Sequence, residues 1–83
     1  MKIQVRYFAS LREQLGAGET LELVAGITIG QLRDQLLASS ALHGQALARG
    51  RAVRCALNQL LCKEDAVIAD GAEVAFFPPV TGG

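Results

Sequence analysis

The sequence predicts an α+β roll: a mixed sheet of about five strands packed on one main helix. Three observations carry this. Alternating polar and apolar residues, the period-2 mark of half-buried strands, recur near both ends of the chain. One segment, after Gly26, carries Ile29, Leu32 and Leu36 at helical spacing. The chain has 83 residues, enough for one small domain whose thin core buries roughly 60% of the unfolded surface.

Residues 2–9 read as the first strand, with Ile3, Val5 and Tyr7 on one face and Lys2, Gln4 and Arg6 on the other. Ser10 and Glu13 have the spacing of a capping box that opens a short helical turn, closed near Gly16. Residues 19–24 alternate again, with Leu21 and Leu23 opposite Glu22. Gly26 ends that strand, and Thr28 with Gln31 gives a second capping box for the main helix. Its apolar stripe leaves Arg33, Asp34 and Gln35 turned away.

Residues 39–50 are weakly patterned and read as a short helix or ordered loop, with His43 an exposed loop residue. Residues 52–57 form a third strand and Leu60–Cys62 its return, joined at Asn58-Gln59 because Asn tolerates positive φ. After a loop from Lys63 to Ala69, Asp70-Gly71 turns the chain into a last strand, 73–78. The order is β-β-α-β-β-β. Strands of one sheet around one helix, with the first and last side by side at its centre, give the ubiquitin-like β-grasp. The domain is placed at residues 1–78, with 79–83 an extended flexible tail.

Composition excludes several functions. Eight basic and eight acidic residues leave no net charge, against the basic excess that nucleic-acid binding needs. No apolar run approaches the ~20 residues of a membrane span, and the alternating N-terminus lacks a signal peptide's apolar region. A cytoplasmic location follows as the default. Two cysteines and one histidine offer neither a zinc site nor a nucleophilic triad, and no phosphate-cradling glycine motif is present. No metal is expected. The absence of a catalytic constellation favours a carrier or binding module.

Strand register converts the layout into a surface prediction. Phe8 shares parity with Lys2, Gln4 and Arg6, so it points away from the core. In the last strand Ala75 and Phe77 point outward. Leu61 and its hairpin neighbour Ala56 fall on the same face. Exposed apolar residues clustered on a small protein mark a partner surface; the competing reading is that segment 39–50 covers them. The same register sets Cys55 opposite Cys62, near the Cα separation of a disulfide. In a reducing compartment two buried free thiols are the favoured reading.

The sequence closes on Phe76-Phe77-Pro78-Pro79-Val80-Thr81-Gly82-Gly83. Glycine has no Cβ, so Gly82-Gly83 can thread a narrow slot, while the prolines hold the segment off the fold. Such an end looks built to enter another protein's active site and present its carboxylate as a reactant; a frayed terminus is the competing reading.

The segment 70–83, read as a whole, resembles the end of the small subunits of molybdopterin synthase. Val5 to Gly16 resembles that family's opening strand and first helix, and Leu57-Asn58-Gln59 its central hairpin turn. The match spans the full length and is least diagnostic over residues 38–52. The resemblance implies a sulfur carrier for molybdenum-cofactor biosynthesis. An E1-like adenylating enzyme, using ATP and Mg that this chain does not itself bind, would adenylate Gly83, and a sulfurtransferase would convert the adenylate to a thiocarboxylate. The large subunit would receive the tail, Pro79, Val80, Thr81 and Gly82, and pass sulfur to cyclic pyranopterin monophosphate, building the molybdopterin dithiolene. The chain would then be the non-catalytic, sulfur-donating subunit of a heterotetramer, docked through Phe8, Leu61, Ala75 and Phe77. Arg12 is a candidate contact to the activating enzyme, and Lys63 reads as solvated. A side chain at Gly82 should cost activity and leave folding intact.

Three rival readings compete with this one. The carrier could serve thiamine or tRNA thiolation, although the Phe-Phe-Pro-Pro lead-in and the long middle segment favour the pterin pathway. It could be a ubiquitin-like modifier whose Gly83 ends in an isopeptide bond. It could be a passive interaction module, for which Gly83 is dispensable.

Overall fold

The computed structural model describes residues 1–79. Val80, Thr81, Gly82 and Gly83, on which most of the expected tail falls, lie outside the described residues. The elements are β1 (Lys2–Tyr7), α1 (Ala9–Leu15), β2 (Gly18–Glu22), α2 (Ile29–Leu37), α3 (Ala41–Ala46), β3 (Arg54–Leu57), β4 (Leu60–Cys62) and β5 (Glu73–Phe77). One sheet holds all five strands in the order β2-β1-β5-β3-β4. The first and last strands pair in parallel at its centre, and the other pairs are antiparallel. This is the expected β-grasp roll.

Alternation along the strands builds the core. Ile3, Val5 and Tyr7 of β1, Val74 and Phe76 of β5 and Cys55 of β3 are buried against Ile29, Leu32 and Leu36 of α2 and Leu47 beyond α3. The Thr28–Gln31 capping box forms in full: Thr28 Oγ1 accepts from the Gln31 N–H at 3.2 Å, and Gln31 Oε1 from the Thr28 N–H at 2.9 Å. The next amides of α2, Ile29 and Gly30, donate to the carbonyls of Ala66 and Glu64. The loop after β4 therefore satisfies a helix end that would otherwise be orphaned.

Two turns fix the register. Asn58 and Gln59 take φ of 50° and 69°, the left-handed pair of a type I′ hairpin. Asn58 is also tied to β5: its N–H donates to the Glu73 carbonyl at 2.8 Å, and its Oδ1 accepts from the Glu73 N–H at 2.9 Å. At the same end of β5, just before the strand begins, Asp70-Gly71 is pinned to β1 through Gly71 N–H to the Lys2 carbonyl and Lys2 N–H to Asp70 Oδ1. Gly18 lets β2 close on β1, because a Cβ there would stand 2.1 Å from the Val5 carbonyl oxygen.

Several expectations need correction. The Ser10–Glu13 capping box does not form: α1 begins at Ala9, so Ser10 already lies within the helix, and the Phe8 carbonyl accepts from the Leu11 and Arg12 amides. The third strand starts at Arg54 rather than 52.

Arg33 does not face solvent. It is 3% exposed. Its Nε donates to the Leu47 carbonyl at 2.8 Å, its Nη2 to those of Ala48 and Arg51 at 2.7 and 3.1 Å, and its Nη1 to Glu64 Oε2 at 2.7 Å. A guanidinium making four hydrogen bonds thus staples the irregular segment after α3 to α2. Glu64 also receives Arg49. Burial alone would raise the Glu64 carboxyl, but hydrogen bonds from Arg49 and Arg33 hold it below the ordinary carboxylate range.

His43 sits on α3, largely buried, with Ser40 Oγ at 2.6 Å from Nδ1 and Glu19 Oε2 at 2.9 Å from Nε2. Glu19 also accepts from the Tyr7 hydroxyl at 2.8 Å. Burial first, and then Glu19, push that phenol far above its usual range.

Candidate functional site

The helices cover one face of the sheet. The opposite face carries an open groove of about 640 Å³. Register explains its shape, because Arg6 pairs with Ala75, Ala75 with Ala56, and Ala56 with Leu61 across four adjacent strands. The two alanines make a low floor between bulkier neighbours. Phe8, Phe77, Pro78, Leu61 and Gln59 stand around it. Phe8 is 40% exposed and Leu61 66%.

Each wall residue is held by a local device. Ala9 adopts φ 53°, a left-handed conformation that L-residues avoid. That turn carries the chain from β1 into α1 and leaves Phe8, the helix N-cap, extended at the rim. The Arg6 guanidinium lies 5.8 Å from the Phe8 ring centroid and 3.7 Å from Glu73 Oε1, a cation–π contact and an ion pair on the same side. Leu61 is placed by the Asn58–Gln59 hairpin. Phe77 ends β5 directly before Pro78 and Pro79, so the strand that leads into the tail also forms the groove wall.

The groove brings together Phe8, Leu61, Ala75 and Phe77, the residues set on one face by parity, together with Ala56. Ala56 and Ala75 are nearly covered by their taller neighbours. Segment 39–50 does not cover this face: Ala46 and Leu47 pack into the core on the other side. Arg12 is exposed on α1 and does not line the groove. Lys63 is exposed beyond β4. Pro79 is half-buried at the end of the described chain, and the tail residues Val80 to Gly83 lie outside it.

Sequence reasoning missed Arg6, Ala9, Gln59, Glu73 and Pro78 as groove residues. Arg6 and Glu73 were within reach, since they share parity with Phe8 and Phe77. Nothing in the sequence signals the positive φ of Ala9. Among the described residues no helix is long and apolar enough to cross a membrane, and no cluster of three or more metal-ligating side chains occurs.

The groove combines an apolar floor with an aromatic and cationic rim, and no nucleophile–base pair or convergent carboxylates occur among its lining residues. The ThiS family matches residues 5–83. The chain is 42% identical over 81 residues to the molybdopterin synthase sulfur carrier subunit of Escherichia coli (strain K12), covering 98% of this chain and 99% of that protein. Among solved structures it is similar to SAMP1 from Haloferax volcanii, with TM-score 0.76, 25% identity and all of both chains covered. It is also similar to a chain in the complex of subunits 1 and 2 of the molybdopterin-converting factor from Helicobacter pylori 26695, with TM-score 0.68, 25% identity and full coverage of both.

Proposed function

The chain belongs to the ThiS family, alongside the molybdopterin synthase sulfur carrier subunits, and on that premise we propose that it carries sulfur on the carboxylate of Gly83. The observation that carries this reading is the groove: the strand ending in Phe77-Pro78 both forms its wall and leads into the Gly-Gly segment. A partner that covers the groove therefore receives the tail as well.

The chemistry follows from the carboxylate. With a pKa near ~3.5 it is ionised at pH 7 and is a poor electrophile. An E1-like enzyme, using ATP and Mg, converts it to an acyl-adenylate, and sulfur from a sulfurtransferase displaces AMP to leave a thiocarboxylate. That group is a soft nucleophile on a slim arm. The large subunit of a molybdopterin synthase docks on Phe8, Leu61, Ala75 and Phe77 and takes in Pro79, Val80, Thr81 and Gly82. Docking raises the arm's effective concentration at the large subunit's active site, where sulfur passes to cyclic pyranopterin monophosphate. All of this is cytoplasmic chemistry.

The likeness to SAMP1 favours one second reading, that of a ubiquitin-like modifier, which begins with the same adenylate. The test is an intact mass after incubation with the activating enzyme, ATP and a sulfur donor, beside a chain lacking Gly83. Exchange of one oxygen for sulfur in the full chain only supports the carrier. No shift in a folded chain that still binds its partner overturns it. Covalent attachment to lysines without a thiocarboxylate supports the modifier.

A further inference from the structure

On the core face of the sheet, the row Tyr7–Phe76–Cys55–Cys62 runs parallel to the groove row one residue along. Its last two members are free thiols whose sulfurs lie 3.9 Å apart. Directly opposed residues of an antiparallel pair have Cα atoms about 4.5–5.5 Å apart, inside the range disulfides use. The backbone thus holds both sulfurs in van der Waals contact, from which rotation about the Cα–Cβ bonds closes the remaining gap to a disulfide. The two differ in access. Cys55 is buried, whereas Cys62 is half-buried on the edge strand. An open cleft of about 290 Å³, lined by Val53, Arg54, Cys55, Cys62, Lys63 and Glu64, leads to them.

We propose that Cys55 and Cys62 form a dithiol modification site, oxidised by a small-molecule disulfide entering this cleft to an intrachain disulfide that fastens β4 to β3 behind Leu61. The thiolate of Cys62 attacks the incoming disulfide, forming a mixed disulfide and releasing one thiol. Cys55 loses its proton and attacks the Cys62 sulfur, releasing the second thiol. Two protein thiols are oxidised, one disulfide is reduced to two thiols, and no other reagent is consumed. Arg54 and Lys63 on the rim favour an anionic disulfide such as that of glutathione. Glu64 opposes this little, because its charge is engaged by Arg33 and Arg49.

The order of attack follows from the environment of each thiol. Burial, and then the neighbouring Cys62, push the Cys55 thiol up to about 12, so it is a poor first nucleophile. It serves as the resolving thiol because the mixed disulfide forms beside it. The consequence reaches the groove. Leu61 adjoins Cys62 on β4, a strand of three residues that forms one edge of the sheet among the described residues. A covalent link to β3 removes the freedom of that edge to fray and fixes the Leu61 wall.

The test treats the folded, reduced full chain with glutathione disulfide, traps free thiols with an alkylating agent and records intact mass and a peptide map. The expected product is the monomer lighter by two hydrogens, with Cys55 linked to Cys62, reversed by dithiothreitol and melting at least about 5 °C higher. Cys55→Ala should stop at a glutathione adduct on Cys62, and Cys62→Ala should resist the reagent while folded. A stable adduct on the wild-type chain overturns the proposal, as does a disulfide-linked dimer or a reaction seen only in urea. The wild-type measurement decides even if a variant fails to fold.

Discussion

Truncating Leu61 to alanine should weaken docking and leave the fold nearly untouched. Burying a leucine side chain completely contributes about 1.5–3 kcal/mol. Leu61 is 66% exposed in the free protein, so about two-thirds of that, ~1–2 kcal/mol, is left to be realised when a partner covers the groove. The large subunit should then bind Leu61→Ala ~5–30-fold more weakly. The remaining third is all the fold can lose, about 0.5–1 kcal/mol. Leu60 supplies an internal control. It is 73% exposed, adjacent on the same edge strand and equally apolar, but alternation turns it away from the groove. Leu60→Ala should bind like the wild type. Isothermal titration against the cognate large subunit reads both values, with thermal denaturation alongside. Equal losses for the two variants, or no loss for Leu61→Ala, would refute the assignment of this face as the docking surface.

Three further outcomes follow from the packing. Gly18→Ala drives a Cβ into the Val5 carbonyl and should destabilise by on the order of 3 kcal/mol; Gly16→Ala, where nothing lies within 4 Å but φ is 89° and ψ −176°, should cost about 1–3 kcal/mol through backbone strain alone, both read from urea midpoints. Arg33→Ala orphans three carbonyls and leaves Glu64 without its buried partner, so a loss of about 3–5 kcal/mol is expected, with faster proteolysis in residues 47–53; a melting temperature within a few degrees of wild type would contradict the staple. Because the Glu64 carboxyl is held below its ordinary 4.5, its contribution is complete above that pH and fades as pH falls through the depressed value. An acid titration of stability should therefore flatten there in Glu64→Gln relative to the wild type.

The fold was legible because strand alternation is strong and the turn chemistry unambiguous. Ile3, Val5 and Tyr7 alternate with charged or amide residues, and Asn58-Gln59 and Asp70-Gly71 accept the positive φ that tight turns need. The groove was legible for the same reason. Parity alone set Phe8, Ala75, Phe77 and Leu61 on one face, since a residue out of phase with the core must emerge on the other side. Arg33 was misread because periodicity treats arginine as a surface residue. Its burial depends on three carbonyls from a segment with no regular structure, and only tertiary contacts bring those to it. His43 was misread likewise: its partner Glu19 is 24 residues away. The Ser10 capping box failed because a matching pair of residues does not by itself fix where a helix begins. Phe8, extended by its place at the end of β1, started α1 earlier.

The two rows across the sheet explain why the core and the groove are specified together. Tyr7, Phe76, Cys55 and Cys62 face inward, while Arg6, Ala75, Ala56 and Leu61, each one residue away, face out. Slipping β5 by one residue would turn Val74 and Phe76 outward and Ala75 and Phe77 inward, putting a bulkier side chain on the groove floor and an alanine in the core in one step. A partner surface on a helix could drift by a fraction of a turn, but here the alternatives are discrete. The register must therefore be held from outside the groove. Asn58 does this at one end of β5 through its two bonds to Glu73. The Asp70-Gly71 turn does it at the same end through β1. Both anchors sit where β5 begins, leaving its far end, Phe77 and the prolines, free of turn constraints. The strand is thus clamped at its start and delivers its last residues beside the groove. The proposed carrier role, docking and presenting Gly83 in one encounter, would use that arrangement.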